Sequence, residues 1–181
     1  MGYSVYKFDC IKDIIENRLE VFSQNKLPEN YGFGVDERIV EYPWFFSKLK
    51  ADAMTILDAG STLNHSDILS VNSLKSRKLY ISTLSYEGFP DADNVPSYVF
   101  EDIRRLCYKG EFFDAVACIS TLEHVGMDNA FLYTSDMSKQ ENDQDAFLRA
   151  VHELKRVVKK GGVLYLSVPY GKHQNHKWFQ I

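Results

Sequence analysis

Apolar residues recur along this chain with two periods, helical first and then alternating between strand and helix. Lys12 to Asn25 places Ile14, Ile15, Leu19 and Phe22 at helical spacing. Leu27-Pro28-Glu29-Asn30-Tyr31-Gly32 breaks that stripe. Asp36 to Lys50 carries a second apolar side, Ile39, Val40, Trp44, Phe45 and Leu49, interrupted near Pro43. Short apolar runs then predict five strands: Met54 to Asp58, Lys78 to Thr83, Ser97 to Phe100, Phe112 to Ile119 and Val163 to Val168. Between them fall a short helix around Ser66 to Ser73, a loop from Pro90 to Pro96 and a helical turn over Glu101 to Leu106. A long polar stretch, Gly126 to Asn142, precedes the strongest helical pattern, Asp143 to Lys160, with Phe147, Val151, Leu154 and Val158 on one side. Asp143 and Asp145 lie at the positive end of its dipole, and Lys155, Arg156, Lys159 and Lys160 at the negative end. Gly161-Gly162 supplies the stop. Strands alternating with helices predict an α/β fold: a doubly wound, mostly parallel sheet of about five strands, with helices at the N-terminus.

Composition bounds this picture. The 181 residues are 45% hydrophobic and 25% charged, ordinary for one globular domain with a core of its own. No internal repeat or low-complexity linker divides it. Residues 1–50 read as a helical cap, 51–170 as the core and 171–181 as a tail. A net charge of -4, from 21 basic and 25 acidic residues, argues against nucleic acid or an anionic membrane as partner. The basic run Lys155 to Lys160 is a dipole-matched helix end. No run approaches the roughly 18 apolar residues of a membrane span, and the N-terminus lacks the apolar core of a signal peptide. Cys10, Cys107 and Cys118 are odd in number and widely spaced, so a cytoplasmic, reducing location is expected. His173-Gln174-Asn175-His176 has no Cys or acid close by, and no metal is expected there.

A parallel sheet binds ligands beyond the carboxyl ends of its strands, where strand order reverses. The first strand delivers Asp58-Ala59-Gly60-Ser61-Thr62-Leu63-Asn64: an acid, then small residues that let a ligand approach the backbone. A turn with a capping acid is the competing reading. The segment lacks Gly-x-Gly-x-x-Gly, and no Gly-Lys-Ser/Thr phosphate loop occurs in the chain. The third strand delivers Glu101-Asp102-Ile103, a carboxylate for an exocyclic amine and an apolar side chain for a ring face, or else a helix cap by Asp102. The fourth delivers Ser120-Thr121-Leu122-Glu123-His124, whose Glu-His pair suits acid–base or orienting work, or else starts a helix with a satisfied His.

The order of these features is what is specific. Ile56-Leu57-Asp58-Ala59-Gly60-Ser61, Phe100-Glu101-Asp102-Ile103, Phe112-Phe113-Asp114-Ala115-Val116, Ser120 to His124 and Leu154 to Gly162 together resemble the Rossmann-like class I S-adenosylmethionine-dependent methyltransferases over about residues 36 to 170. Arg38 to Trp44 and Thr121 to Asn129 are similar to bacterial members found with surface-glycan pathways. The resemblance implies S-adenosylmethionine as cofactor, S-adenosylhomocysteine as product and a small-molecule or glycan acceptor. It implies that Asp58, Ala59, Gly60 and Ser61 wrap the methionine end, that Thr62 and Asn64 also bind the cofactor, that Asp102 and Ile103 take the adenine, and that Ser120 approaches the sulfonium. Glu123 and His124 are the catalytic candidates, needed as a base only for a poorly acidic hydroxyl.

Three departures shape the expectations. Of the family's glycine-rich loop only Gly60 remains; Thr62 and Asn64 stand where Gly is common, and Asn64 is expected to tolerate a left-handed backbone. The second strand ends in Ser82-Thr83-Leu84 instead of a ribose-gripping acid, leaving Thr83, Leu84 and a reaching Glu87 at that subsite. The family adds two strands after the fifth; the chain reads as C-terminally short, with a fifth-strand edge open to a homodimer. A cofactor-binding or interaction module without turnover, or a truncated one, is the alternative function, and another Rossmann-like nucleotide binder the third. The polar stretch Gly126 to Asn142 is expected to form an acceptor-side lid, or else to be plain disorder.

Overall fold

The computed structural model describes residues 2–24, 26–88, 95–134 and 136–181. Five strands form one all-parallel sheet: β1 (Thr55–Ala59), β2 (Lys78–Thr83), β3 (Ser97–Phe100), β4 (Phe113–Ile119) and β5 (Val158–Ser167). Their order is β3-β2-β1-β4-β5. The chain winds outward from β1 to β3 and then crosses back to β4 beside β1, so strand order reverses between β1 and β4. This is the expected Rossmann-like α/β architecture. Of the loop expected from Pro90 to Pro96, residues 90–94 lie outside the described residues.

Side-chain alternation on the central strands builds two cores. Ile56, Ala115, Ala117 and Ile119 face α1 (Gly2–Asn17), α2 (Arg38–Lys48) and the one-turn α3 (Ser66–Leu69), where Ile11, Ile14, Phe45 and Ile68 cover them. Leu57, Ala59, Val116 and Cys118 face α5 (Phe147–Val157), which contributes Ala150, Leu154 and Val157. A further turn, α4 (Ala130–Tyr133), interrupts the polar stretch after β4.

Several boundaries differ from the sequence reading, each for a physical reason. α1 begins at Gly2, ten residues before the apolar stripe, because its first turns expose Tyr3, Val5 and Tyr6 and carry no buried face. It ends at Asn17, and Leu19 and Phe22 sit on a separate 3-10 turn (Leu19–Ser23). α2 runs through Pro43 without a break. Proline removes the N–H that would reach the Ile39 carbonyl, and the Tyr31 hydroxyl donates to that carbonyl instead, at 3.1 Å. The helical turn expected over Glu101 to Leu106 is irregular chain. α5 starts at Phe147 and ends at Val157, before the Gly pair. Gly161 and Gly162 belong to a wide bulge in β5: Phe113 pairs with Val158, but Ala115 pairs with Val163. A Cβ on Gly162 would lie 2.8 Å from the Asp114 carbonyl oxygen, so the bulge packs against β4 only where no side chain intervenes.

Candidate cofactor and acceptor site

A cavity of about 690 Å³ opens at the carboxyl ends of β1, β2 and β4, at the point where strand order reverses. Gly60, Ser61 and Thr62 after β1, Thr83 and Leu84 at β2, Asp102 and Ile103 after β3, and Ser120 and His124 after β4 all line it. Nine sequence-predicted residues from four strand ends thus meet in one space.

The turn after β1 is built around its glycine. Gly60 adopts φ 117° and Ser61 is left-handed at φ 63°. Gly60 donates its N–H to the Ser82 carbonyl at 2.8 Å, which docks the turn on β2. A Cβ at Gly60 would stand 2.5 Å from Thr121 Cγ2 and closer still to its Oγ1. The left-handed residue is therefore Ser61, where Asn64 was expected. Asn64 instead braces the turn from outside: its Nδ2 donates to Ser61 Oγ at 3.1 Å and its Oδ1 accepts from Tyr98 at 2.8 Å.

Asp58 lies beneath the turn and does not line the cavity. It is fully buried, and its two carboxylate oxygens accept the backbone N–H groups of Thr62 (3.2 Å) and Leu63 (2.8 Å). Burial pushes its carboxyl up to about 7, against the pull of those two hydrogen bonds. Ala59 is also fully buried, in the α5-facing core. Both shape the turn from within.

At the β2 end no acid ends the strand, but Glu87 lines the cavity and accepts from the Thr83 hydroxyl at 3.1 Å. Glu101 also lines it, receiving the Ser82 hydroxyl and the Cys107 N–H, both at 2.7 Å. Asp102 is engaged by Arg104, whose Nε reaches both carboxylate oxygens at 3.0 and 2.9 Å. Arg104 also grips Glu141 with two bonds of 2.7 Å. Burial alone would raise the Asp102 carboxyl; the Arg104 bonds outweigh it and hold the group below its ordinary value. Of the stretch expected as a lid, Gly126 to Asn142, described residues from Gly126 to Thr134 and from Ser138 to Glu141 contribute one wall of the cavity, anchored by this Arg104–Glu141 pair.

The opposite wall comes from α2, which the sequence reading used only as a cap. Arg38 and Tyr42 line the cavity. Tyr42 donates to the Thr62 carbonyl at 2.5 Å. Glu41 holds three groups at once: Ser120 Oγ and Ser167 Oγ donate to its Oε1, and Arg38 Nη1 to its Oε2, each at 2.6 Å. The Ser120 hydroxyl is thus turned to Glu41, and its backbone is left-handed at φ 43°. One guanidinium nitrogen of Arg38 is spent on Glu41 and its backbone N–H on Asp36 (3.2 Å); its other guanidinium N–H donors make no hydrogen bond among the described residues.

Glu123 and His124 part company. Glu123 is buried, lines no part of the cavity and leaves Oε2 without a partner among the described residues. Burial raises its carboxyl to about 7. His124 lines the cavity, with Nδ1 2.9 Å from the Trp178 carbonyl. A carbonyl can only accept, so Nδ1 carries the proton and Nε2 keeps its lone pair. Burial lowers the imidazole's pKa, which keeps it neutral. His173 and His176 are engaged elsewhere, with the Ile181 carbonyl at 2.9 Å and the Phe179 ring at 4.5 Å.

A glycine-backed cradle under a cavity at the switch point of an all-parallel sheet defines a Rossmann-like ligand-binding domain. Residues 82–166, from the end of β2 to the end of β5, match the family model described as a methyltransferase domain. That match spans a little under half of the chain. No curated protein matches it in sequence. Among solved structures it is similar to a Pyrococcus horikoshii protein at 14% identity, covering 76% of this chain and 61% of that one, with TM-score 0.50. It is also similar to an S-adenosylmethionine dependent methyltransferase from Mesorhizobium loti (16% identity, 71% and 53% covered, TM-score 0.44). A third is a SAM-dependent methyltransferase from Methanosarcina mazei (18%, 65% and 53%, TM-score 0.40). The chain spans between 53% and 61% of the length of these three.

Proposed function

We propose that this protein transfers a methyl group from S-adenosylmethionine to a small-molecule or glycan acceptor held in the same cavity. The observation that carries the reading is the convergence of Gly60, Thr83, Asp102 and Ser120 on one space at the switch point. The bound cofactor would supply a methyl group already activated by its sulfonium, so the protein's work is to hold and align. The two ends of the cavity differ in charge. Arg38 stands at the α2 end, while Glu87 and Glu101 stand at the β2 and β3 ends. A ligand with a carboxylate at one end and hydroxyls and an amine at the other fits that polarity. Glu87, braced by Thr83, offers the ribose hydroxyls the carboxylate that the strand end lacks.

Isothermal titration with S-adenosylhomocysteine tests this. Asp102→Ala is expected to weaken binding about tenfold, as loss of a charge-assisted hydrogen bond would. Arg38→Gln is expected to weaken S-adenosylhomocysteine about tenfold and to leave methylthioadenosine, which lacks the carboxylate, unchanged. Wild-type protein that binds neither ligand sinks the proposal.

One observation favours a module that binds without turnover: the Asp102 carboxylate is already engaged by Arg104. Binding without methyl transfer to any acceptor would select that reading. Three free thiols fit the expected cytoplasmic setting. No helix among the described residues is long and apolar enough to cross a membrane. Among the described residues the outer edge of β5 has no strand partner, which supports the expected pairing with a second copy; sedimentation would detect it.

A further inference from the structure

The acceptor half of the cavity has a chemistry of its own. Trp178 lines it, about 40% exposed, with the His124 ring stacked at 5.0 Å and 28°. Phe131 meets the Trp178 ring edge-on at 6.2 Å. Leu132 and Tyr133 continue the same wall, and Leu84 faces the cavity from the end of β2. Phe131, Leu132, Tyr133, Leu84 and Trp178 are all substantially exposed. Large apolar side chains gathered around an opening mark a surface that a ligand covers. Among the described residues, the only cation that α4 and the following turn bring to this wall is Lys139.

We propose that this half takes a neutral phenolic ring, laid against the Trp178 platform with its hydroxyl directed to Nε2 of His124. The inference rests on the methyltransferase reading and narrows its acceptor. The choice of a phenol follows from proton affinities. An ordinary imidazolium has a pKa near 6.5 and a phenol near 10, a gap of about three to four powers of ten, which the burial of His124 widens. An aliphatic hydroxyl lies near water's 15.7, a gap of about nine. His124 can bridge the first gap as the oxygen attacks, but not the second. The aromatic wall selects the same class by shape.

The step balances with the residues named. Nε2 accepts the phenolic proton while an oxygen lone pair forms the new O–C bond. The donor's C–S bond breaks, its electron pair stays on sulfur, and a neutral thioether leaves. The proton on Nε2 passes to water, which restores the neutral ring held by the Trp178 carbonyl.

The test uses the full chain with p-cresol as the phenol and methyl glucoside as the aliphatic alcohol. With S-adenosylhomocysteine present, p-cresol is expected to bind and methyl glucoside not to, and Trp178→Ala to weaken p-cresol at least tenfold. With S-adenosylmethionine, mass spectrometry is expected to show the methyl ether of p-cresol alone. His124→Asn keeps a donor for the Trp178 carbonyl but removes Nε2; it is expected to lose turnover about a hundredfold with p-cresol affinity held within a few-fold. Methylation of the glucoside in preference to the phenol overturns the proposal. So does full turnover in His124→Asn, or failure of p-cresol to bind while S-adenosylhomocysteine does. Failure of S-adenosylhomocysteine to bind takes down the methyltransferase reading, and the acceptor with it.

Discussion

Gly60→Ala is expected to abolish cofactor-analogue binding and to lower the melting temperature on the order of 10 °C. Two effects add. A φ of 117° lies outside the regions open to residues with a Cβ, and holding one there costs on the order of 1–3 kcal/mol. The new methyl would also stand 2.5 Å from Thr121 Cγ2. Thr121 is β-branched and its Oγ1 is bound to the Ile119 carbonyl at 3.0 Å, so it cannot rotate aside freely. Overpacking of this kind costs about 1–3 kcal/mol more. The double variant with Thr121→Ala separates the terms: it relieves the contacts with Oγ1 and Cγ2 but not the backbone strain, and is expected to recover part of the stability and little of the binding. Calorimetric melting and S-adenosylhomocysteine titration read both. A Gly60→Ala protein that melts and binds like wild type would show that the turn is not the cradle.

The same contact marks the limit of what the sequence disclosed. The strand ends were legible because β1, β2, β3 and β4 are short apolar runs, and a parallel sheet places their exits together whatever the loops do. Asp58 was legible as an acid but not in its orientation: its carboxylate turns inward to two loop N–H groups, the capping reading that competed with a ligand contact. Arg38, Glu41 and Trp178 were invisible as site residues because distant chain brings them in. Glu41 reaches Ser120 across 79 positions and Ser167 across 126. The Gly161-Gly162 pair was misplaced because a helix stop and a strand bulge both call for glycine, and only the pairing register distinguishes them.

The pH dependence of stability is the second large effect, and its sign is opposite to that of a protein held by ion pairs. Asp58 and Glu123 are raised from 3.8 and 4.5 to about 7, in both cases chiefly because burial disfavours the charged form. Between those values the folded chain binds up to two protons that the unfolded chain has released. Their contribution is fully present below about pH 4 and is lost as pH rises through 7. Asp114 works the other way. Burial raises it, but hydrogen bonds from Lys159, Thr55 and Met54 bring it down to about 2, so its contribution is present above 3.8 and lost as pH falls toward 2. Stability is therefore expected to peak near pH 4 and to decline until about pH 7, by several kcal/mol if both buried acids titrate as single groups. Asp58→Asn carries no titrating proton, so its urea-unfolding free energies should fall less steeply across pH 5, 6, 7 and 8. That variant should also be weaker at pH 5 by about 1–3 kcal/mol, because an amide cannot accept from both Thr62 and Leu63. A wild-type profile that is flat from pH 5 to 8, or one that Asp58→Asn leaves equally steep, would mean that the acid beneath the turn is solvated and that the cradle is looser than its hydrogen bonds imply.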